Sequence, residues 1–393
     1  MASRVTPITQ ARSFATRREP RSGRIAVLLL LPVAVLLIIG LGALLSASSV
    51  LAIREGYADN LYYFKRQVLF AGIGVVFLII GARIPYDWYR RAAIPIFGLA
   101  LVGLVATLAI GEVRGGAQRW IVLGPVTIQA SEFAKFAAIV MLAMVLARKA
   151  DYLDTFWHVI VPVASILAAL GLPLMMQPDF GTTALIAATA LTILFASSAK
   201  LLHVIGVSLA GAAFGGMLAV TAPYRLERVT SFLSSNPDVL GDGYHAHQSL
   251  VALGTGGWFG VGLGASRARW SFLPNAHSDF IFSIIGEETG LAGSLAVIAL
   301  FMVLAAVGTT IALRCRDYFG RLMAIGIVAW LTFQALVNVG GVVKVLPITG
   351  VPLPFVSAGG SAMMANLFAV GVLINIARLS AKRSADLNKG ISP

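Results

Sequence analysis

Asp279 lies in the stretch Phe272-Leu273-Pro274-Asn275-Ala276-His277-Ser278-Asp279-Phe280-Ile281-Phe282, which closes the longest polar segment of the sequence and opens a long apolar run. A carboxylate in such a place can remove a proton from a hydroxyl nucleophile. It can equally serve the backbone. Pro274 bars the residues before it from continuing a helix, so Ser278 or Asp279 is the expected N-cap, where the helix dipole favours negative charge. Along the helix so begun, Ser283, Gly286, Gly290 and Gly293 make a stripe of small residues on which another helix or a ligand can lie.

The remaining polar groups are scattered through apolar surroundings. Glu132 and Lys135 stand three apart in Gln129-Ala130-Ser131-Glu132-Phe133-Ala134-Lys135, with Ser131 as the expected helix cap. Charges embedded in an apolar run are costly, which favours contact with a substrate or metal over a mutually neutralising pair. In Gln177-Pro178-Asp179-Phe180-Gly181-Thr182-Thr183 the helix breaks and Asp179 caps the next one, so a structural role is at least as good a reading. His245 and His247 beside Asp242 would meet one metal ion only in an extended segment. Glu287 and Glu288 fall inside an apolar run and must be neutral, paired or in a polar cavity. Lys344 to Ser361, rich in proline and glycine and including Ser357, suits a re-entrant loop lining a cavity. Arg119, Lys135 and Lys344 are expected to make one outer pocket basic, a pocket that suits a phosphorylated lipid. The glycine-rich run Gly254 to Gly264 follows no soluble strand and there is no Walker A pattern, so no nucleotide is expected.

The elements that must position these groups follow from composition. The chain has 393 residues, 58% hydrophobic and 12% charged, where a soluble domain is about a quarter charged. Several apolar runs approach the length of about 20 residues that crosses a bilayer. The expected fold is an all-α polytopic membrane protein of about ten transmembrane helices, near 25–45, 67–83, 92–110, 131–147, 157–176, 180–197, 202–221, 280–313, 321–343 and 360–378. Residues 1–24 read as a disordered basic cytoplasmic tail, 25–378 as the transmembrane domain, and 379–393 as a second cytoplasmic tail. With both termini inside, the cytoplasmic segments hold 19 of the 30 Lys+Arg and 6 of the 17 Asp+Glu, a difference equal to the whole net charge of +13. The basic excess therefore answers to the membrane and not to nucleic acid. The longer segments then face outward: 111–130, the large loop of about 222–278 between the seventh and eighth helices, and 344–359. Cys315 is the single cysteine, which excludes an internal disulfide and a thiolate metal cluster.

Taken in order, Arg119-Trp120-Ile121, Gln129-Ala130-Ser131-Glu132, Gln177 to Thr182, Gly256 to Gly262, Leu273-Pro274 with His277-Ser278-Asp279-Phe280, and Pro352-Leu353-Pro354 with Ser357 to Ser361 resemble the signatures of the SEDS family (shape, elongation, division and sporulation). The resemblance covers nearly the whole chain after the N-terminal tail, and Gln177 to Thr183 and Gly256 to Gly264 look most like its division branch. It implies a bacterial plasma-membrane enzyme, at the division septum, that polymerises lipid II. In that reaction a sugar hydroxyl attacks an anomeric carbon and undecaprenyl pyrophosphate leaves. Asp279 matches the family's catalytic aspartate and would be the general base, while Arg119, Lys135 and Lys344 would steady the pyrophosphate, with a divalent cation, Mg or Mn, as the one cofactor implied. Glu132, Asp179, His277, Ser357 and Ser361 fall in the family's motifs as substrate-binding candidates. The implied partners are a class B penicillin-binding transpeptidase and other division proteins. A lipid II flippase and a non-catalytic division scaffold remain open on the residues themselves.

Overall fold

The computed structural model describes residues 22–56, 59–114, 117–124, 126–220, 244–268 and 276–389. In chain order these form α1 (Ser22–Arg54), α2 (Tyr62–Arg83), α3 (Tyr86–Arg91), α4 (Ala93–Ile110), β1 (Glu112–Arg114), β2 (Ala117–Leu123) and β3 (Val126–Ile128). There follow α5 (Ala130–Arg148), α6 (Phe156–Met176), α7 (Phe180–Ala196), α8 (Leu201–Val220), α9 (Tyr244–Gly256), α10 (Ile281–Arg314), α11 (Tyr318–Val342) and α12 (Gly360–Lys389). A helix stands at each of the ten expected positions, because lipid leaves a spanning backbone no other way to satisfy its own hydrogen bonds. Among the described residues eight helices are long and apolar enough to cross a membrane; α7 and the apolar Leu201–Ala213 part of α8 are shorter.

Four details depart from the expectation. A three-stranded antiparallel sheet, β1-β2-β3, fills much of the α4–α5 connection, so the chain is not wholly helical. Two further helices, α3 and α9, sit inside connections. The last helix is longer than the span expected at 360–378, since α12 runs on to Lys389. The long α10 breaks at Gly290, whose φ of 69° and ψ of −164° are not helical. The basic tail expected at 1–24 lies outside the described residues up to position 21.

Burial separates inner from outer helices. In α5 and α12, 78% and 83% of the most apolar window is covered by protein, against 17% in α4, which identifies α5 and α12 as the inner elements. Outward-facing apolar side chains such as Leu99, Leu172 and Met302 stay exposed, as a lipid-facing surface requires. Inner helices approach closely where side chains are small. A Cβ on Gly371 of α12 would stand 2.1 Å from Leu78 O of α2, and one on Gly81 of α2 would stand 2.7 Å from Phe368 O.

Candidate active site

Asp279 sits at the end of the bundle where α10 begins and α11 ends. Residues 276–280 form turns, and α10 starts at Ile281 with Phe280 in the cap position, so neither Ser278 nor Asp279 is the N-cap the sequence led us to expect. The reason lies in the neighbours that hold this stretch. Ala358 N donates to His277 O at 3.1 Å, and Asn338 Nδ2, from α11, donates to Asp279 O at 2.9 Å. These backbone anchors carry the chain past the carboxylate before the helix begins. Asp279 then lines a small cleft with Phe280, Val337, Asn338, Thr349 and Gly350.

One wall of this cleft belongs to the irregular segment 343–359. Its second half is buried in protein, as expected of a re-entrant loop, with Val351, Leu353, Phe355, Val356 and Ser357 all covered, while Val345 and Leu346 stay exposed. Its backbone is held by amide side chains reaching out of spanning helices. Gln67 of α2 donates from Nε2 to Ser357 O (3.2 Å) and accepts from Gly359 N (3.3 Å). Gln334 of α11 donates to Pro352 O at 2.9 Å, and Asn338 donates to Val351 O at 2.9 Å. Ser357 Oγ accepts from Leu353 N at 2.8 Å, closing a turn within the loop. The sequence pointed to Ser357; it did not point to Gln67, Gln334 or Asn338. For Gln334 and Asn338 the available signal was an uncharged amide inside an apolar run, where nothing but burial against a partner makes it tolerable; Gln67 follows Lys65-Arg66 and gave no such signal.

Two further segments lock onto the same end. Ser361 Oγ, at the start of α12, accepts from Gln129 N (3.0 Å) and donates to Thr127 O (3.3 Å), tying the sheet to the loop. Arg119 on β2 donates from Nε to Gln177 O at 3.2 Å and from Nη2 to Pro178 O. Asp179 caps α7 as expected, its Oδ1 accepting from Thr182 N at 3.2 Å. Gly181 then abuts the cleft wall, for a Cβ there would stand 2.8 Å from Val351 Cγ2 and 3.0 Å from Thr349 Cβ.

Lys135 corrects the expected basic pocket. It is 2% exposed inside the bundle, donating to Glu132 Oε2 at 2.8 Å and to Gln334 Oε1 at 2.8 Å, with Nζ 5.1 Å from the centre of the Trp330 ring. Arg119 is committed to the 177–178 turn, so it and Lys135 are held by different partners and do not share one pocket; Lys344 sits just beyond α11. Ser131 is not a cap either: Gln129 holds that position and Ser131 is fully buried. His277 is half-buried, with the Tyr63 ring centre 5.5 Å from its own, and desolvation holds its imidazole below the ordinary 6.5 while Glu55 pulls the other way.

The two embedded glutamates are both engaged. Glu287 accepts from Arg267 N (2.9 Å), Ala268 N (3.2 Å) and Ser266 Oγ, stapling the end of the glycine-rich segment to α10, and Glu288 accepts from Ser46 Oγ of α1. The small-residue stripe on α10 is filled by protein: a Cβ on Gly256 of α9 would stand 2.0 Å from Gly286 O, and Ser249 Oγ meets Ser283 Oγ at 2.9 Å. His245 and His247 lie on helical α9, where alternate residues diverge, and His245 stacks on Phe280; Asp242 lies outside the described residues. Among the described residues no three His, Cys, Asp or Glu side chains come together to hold a metal.

The family model described as "Cell cycle protein", that of FtsW, RodA and SpoVE, matches residues 26–382. The chain belongs to this family. It is 38% identical over 358 residues to the stage V sporulation protein E of Bacillus subtilis, covering 90% of this chain and 97% of that one. It is 38% identical over 362 residues to the probable peptidoglycan glycosyltransferase FtsW of Trichlorobacter lovleyi, covering 92% and 95%. Among solved structures, one described as "Structural coordination of polymerization and crosslinking by a peptidoglycan synthase complex" matches with TM-score 0.74 at 26% identity, over 90% of this chain and 97% of that one. The rod shape determining protein RodA of Thermus thermophilus matches with TM-score 0.65 at 26% identity, over 89% and 95%. The collar of irregular segments around Asp279 therefore belongs to an FtsW/RodA/SpoVE fold over nearly its full length.

Proposed function

We propose that the protein is a peptidoglycan glycosyltransferase that polymerises lipid II at the outer face of the bacterial plasma membrane during cell division. The observation that carries this reading is the position of Asp279, lining a cleft at one end of the bundle while its backbone is fixed by Asn338. A hydroxyl is a weak nucleophile, and a carboxylate held at hydrogen-bond reach accepts its proton as the new bond forms. The oxygen of that sugar hydroxyl bonds to the anomeric carbon of a second lipid-linked saccharide. The bond from that carbon to pyrophosphate breaks, and undecaprenyl pyrophosphate leaves with the electron pair. Arg119 and Lys344, both at the outer end under this orientation, are the cations nearest in kind to the leaving group's need. Glu132, Lys135, Asp179, His277, Ser357 and Ser361 act through the shape of the cleft's surroundings.

Both termini are then cytoplasmic and the 244–280 region is outside, as the distribution of basic residues requires. A class B penicillin-binding transpeptidase is the expected partner, in keeping with the similarity to a peptidoglycan synthase complex. The septum is the expected site of action.

The test is polymerisation of purified lipid II by wild type and by Asp279→Asn, with and without the transpeptidase, beside lipid transport in the same vesicles. Asparagine is nearly isosteric but is no useful base near neutral pH, so glycan formation should fall by about 10²–10⁴-fold. Normal strands from Asp279→Asn would remove the general-base role. Transport that is lost while polymerisation survives would favour a flippase.

A further inference from the structure

Asn338 has a second, unused half. Its Nδ2 donates to Asp279 O and to Val351 O, both at 2.9 Å. Both partners are carbonyl oxygens, which can only accept, so they settle which end of the amide faces them and account for both of its N–H groups. The opposite atom, Oδ1, is buried and accepts no hydrogen bond among the described residues, in a side chain only 5% exposed. The same residue lines the cleft beside Asp279 and Thr349, where most of the other lining is apolar: Phe280, Val337, Val342, Ile348 and Val351. An acceptor held rigidly by two bonds on its other side, sealed from water and unpaired, is costly to keep unless something pairs with it at some stage.

We propose that Asn338 is a substrate-contacting residue, its Oδ1 accepting a hydrogen bond from an N–H or O–H of the sugar whose hydroxyl Asp279 deprotonates. This rests on the glycosyltransferase reading above and deepens it. An amide oxygen can only accept and would repel an anion, and a sugar's N–H or O–H supplies the donor that Oδ1 lacks. The wall at 348–351 is irregular backbone with Gly350 at φ +71°, not helix, and the proposal requires this part of the cleft to give way to the sugar, which breaks no spanning element. Asn338 would thus do two things with one amide: fix the backbone that carries the base, and orient the sugar against that base. An amino sugar offers both kinds of donor, an acetamido N–H and ring hydroxyls.

The two roles separate in a cycle of enzyme and substrate changes. Wild type and Asn338→Ala are compared on lipid II and on two synthetic analogues, one with the acetamido N–H replaced by an ester oxygen and one lacking a ring hydroxyl other than the attacking one. Wild type should use one of the two analogues about 10- to 100-fold less well in kcat/KM, since the analogue leaves Oδ1 unpaired. Which analogue it is identifies the donor. Asn338→Ala should be impaired on lipid II and should no longer discriminate against that analogue. Equal slowing on all substrates with the discrimination kept, or no discrimination by wild type, would overturn the proposal and leave Asn338 as an anchor of Asp279. Asn338→Ser, whose hydroxyl can still donate to one carbonyl but does not reach the position of Oδ1, should lose the discrimination too and serves if the alanine variant does not fold. No polymer from wild type on lipid II would instead sink the glycosyltransferase reading itself.

Discussion

Lys135 illustrates how a single charge is tolerated where lipid and protein would otherwise exclude it. Glu132 supplies the opposite charge one helical turn away, Gln334 supplies a second acceptor, and the Trp330 ring faces the ammonium. Removing one partner of such a buried pair typically costs about 3–5 kcal/mol, because the other charge is left uncompensated. Glu132→Gln should therefore lower the melting temperature sharply, and adding Lys135→Met to it should recover much of the loss. The double variant also tests direct substrate contact, since a stable protein with no turnover would return both residues to the substrate. His277 gives a second measurement. Its pKa lies below 6.5 in the folded state because of burial, so as pH falls below 6.5 the unfolded chain takes up a proton that the folded chain resists. Stability from this group is complete above that pH and declines on acidification. The drop in melting temperature between about pH 7.5 and 5.5 should shrink in His277→Gln, and an unchanged drop would clear His277 of the effect.

At the scale of elements, hydropathy located ten helices, eight of them among the described residues long and apolar enough to span, because a bilayer imposes both length and closed hydrogen bonding. It did not reveal β1–β3, whose outer strands are three residues long, too short to display an alternating pattern. Nor did it reveal the break in α10, since a lone glycine in a helix costs little and is no reliable breaker. The reason for the break is the neighbour: a Cβ on Gly290 would stand 2.5 Å from Gly260 N and 2.5 Å from Trp258 C. The bent backbone lets Leu291 N donate to Gly257 O (2.9 Å) and Ala292 N to Trp258 O (3.2 Å), so the Gly-rich segment replaces helix bonds lost at the kink. Gly290→Ala must move this segment and also adopt a positive φ that L side chains avoid. It should lower the yield of folded protein and its melting temperature, whereas Gly42→Ala in α1, with nothing near its Cβ, should change neither. Equal behaviour of the two variants would show that the kink does not depend on the missing Cβ. The site was legible in the same partial way. Motif residues such as Asp279 and Ser361 stood out from their surroundings, but the amides of Gln67, Gln334 and Asn338 act on backbone far away in sequence, and no local spacing records such a partner.

For the whole molecule, the proposed function turns on which end of the bundle faces outward, because on that reading a lipid-linked sugar must reach Asp279 from the outer side. On the charge count the sheet and the cleft are expected outside and the short turns of 150–155 inside. Structure supplies positions at which to test it. Val113 on β1 is 66% exposed and Tyr152, between α5 and α6, is 57% exposed, so a cysteine at either is reachable by a reagent on its side. The native Cys315 is buried and its thiol is pushed above its ordinary pKa chiefly by that burial, so it reacts slowly; Cys315→Ala removes it altogether. On intact cells an impermeant maleimide should label Val113→Cys and spare Tyr152→Cys, and after permeabilisation it should label both. The reverse pattern would put Asp279 on the cytoplasmic side, where a polymerase of exported lipid II could not work, and would overturn the orientation and the proposed reaction together.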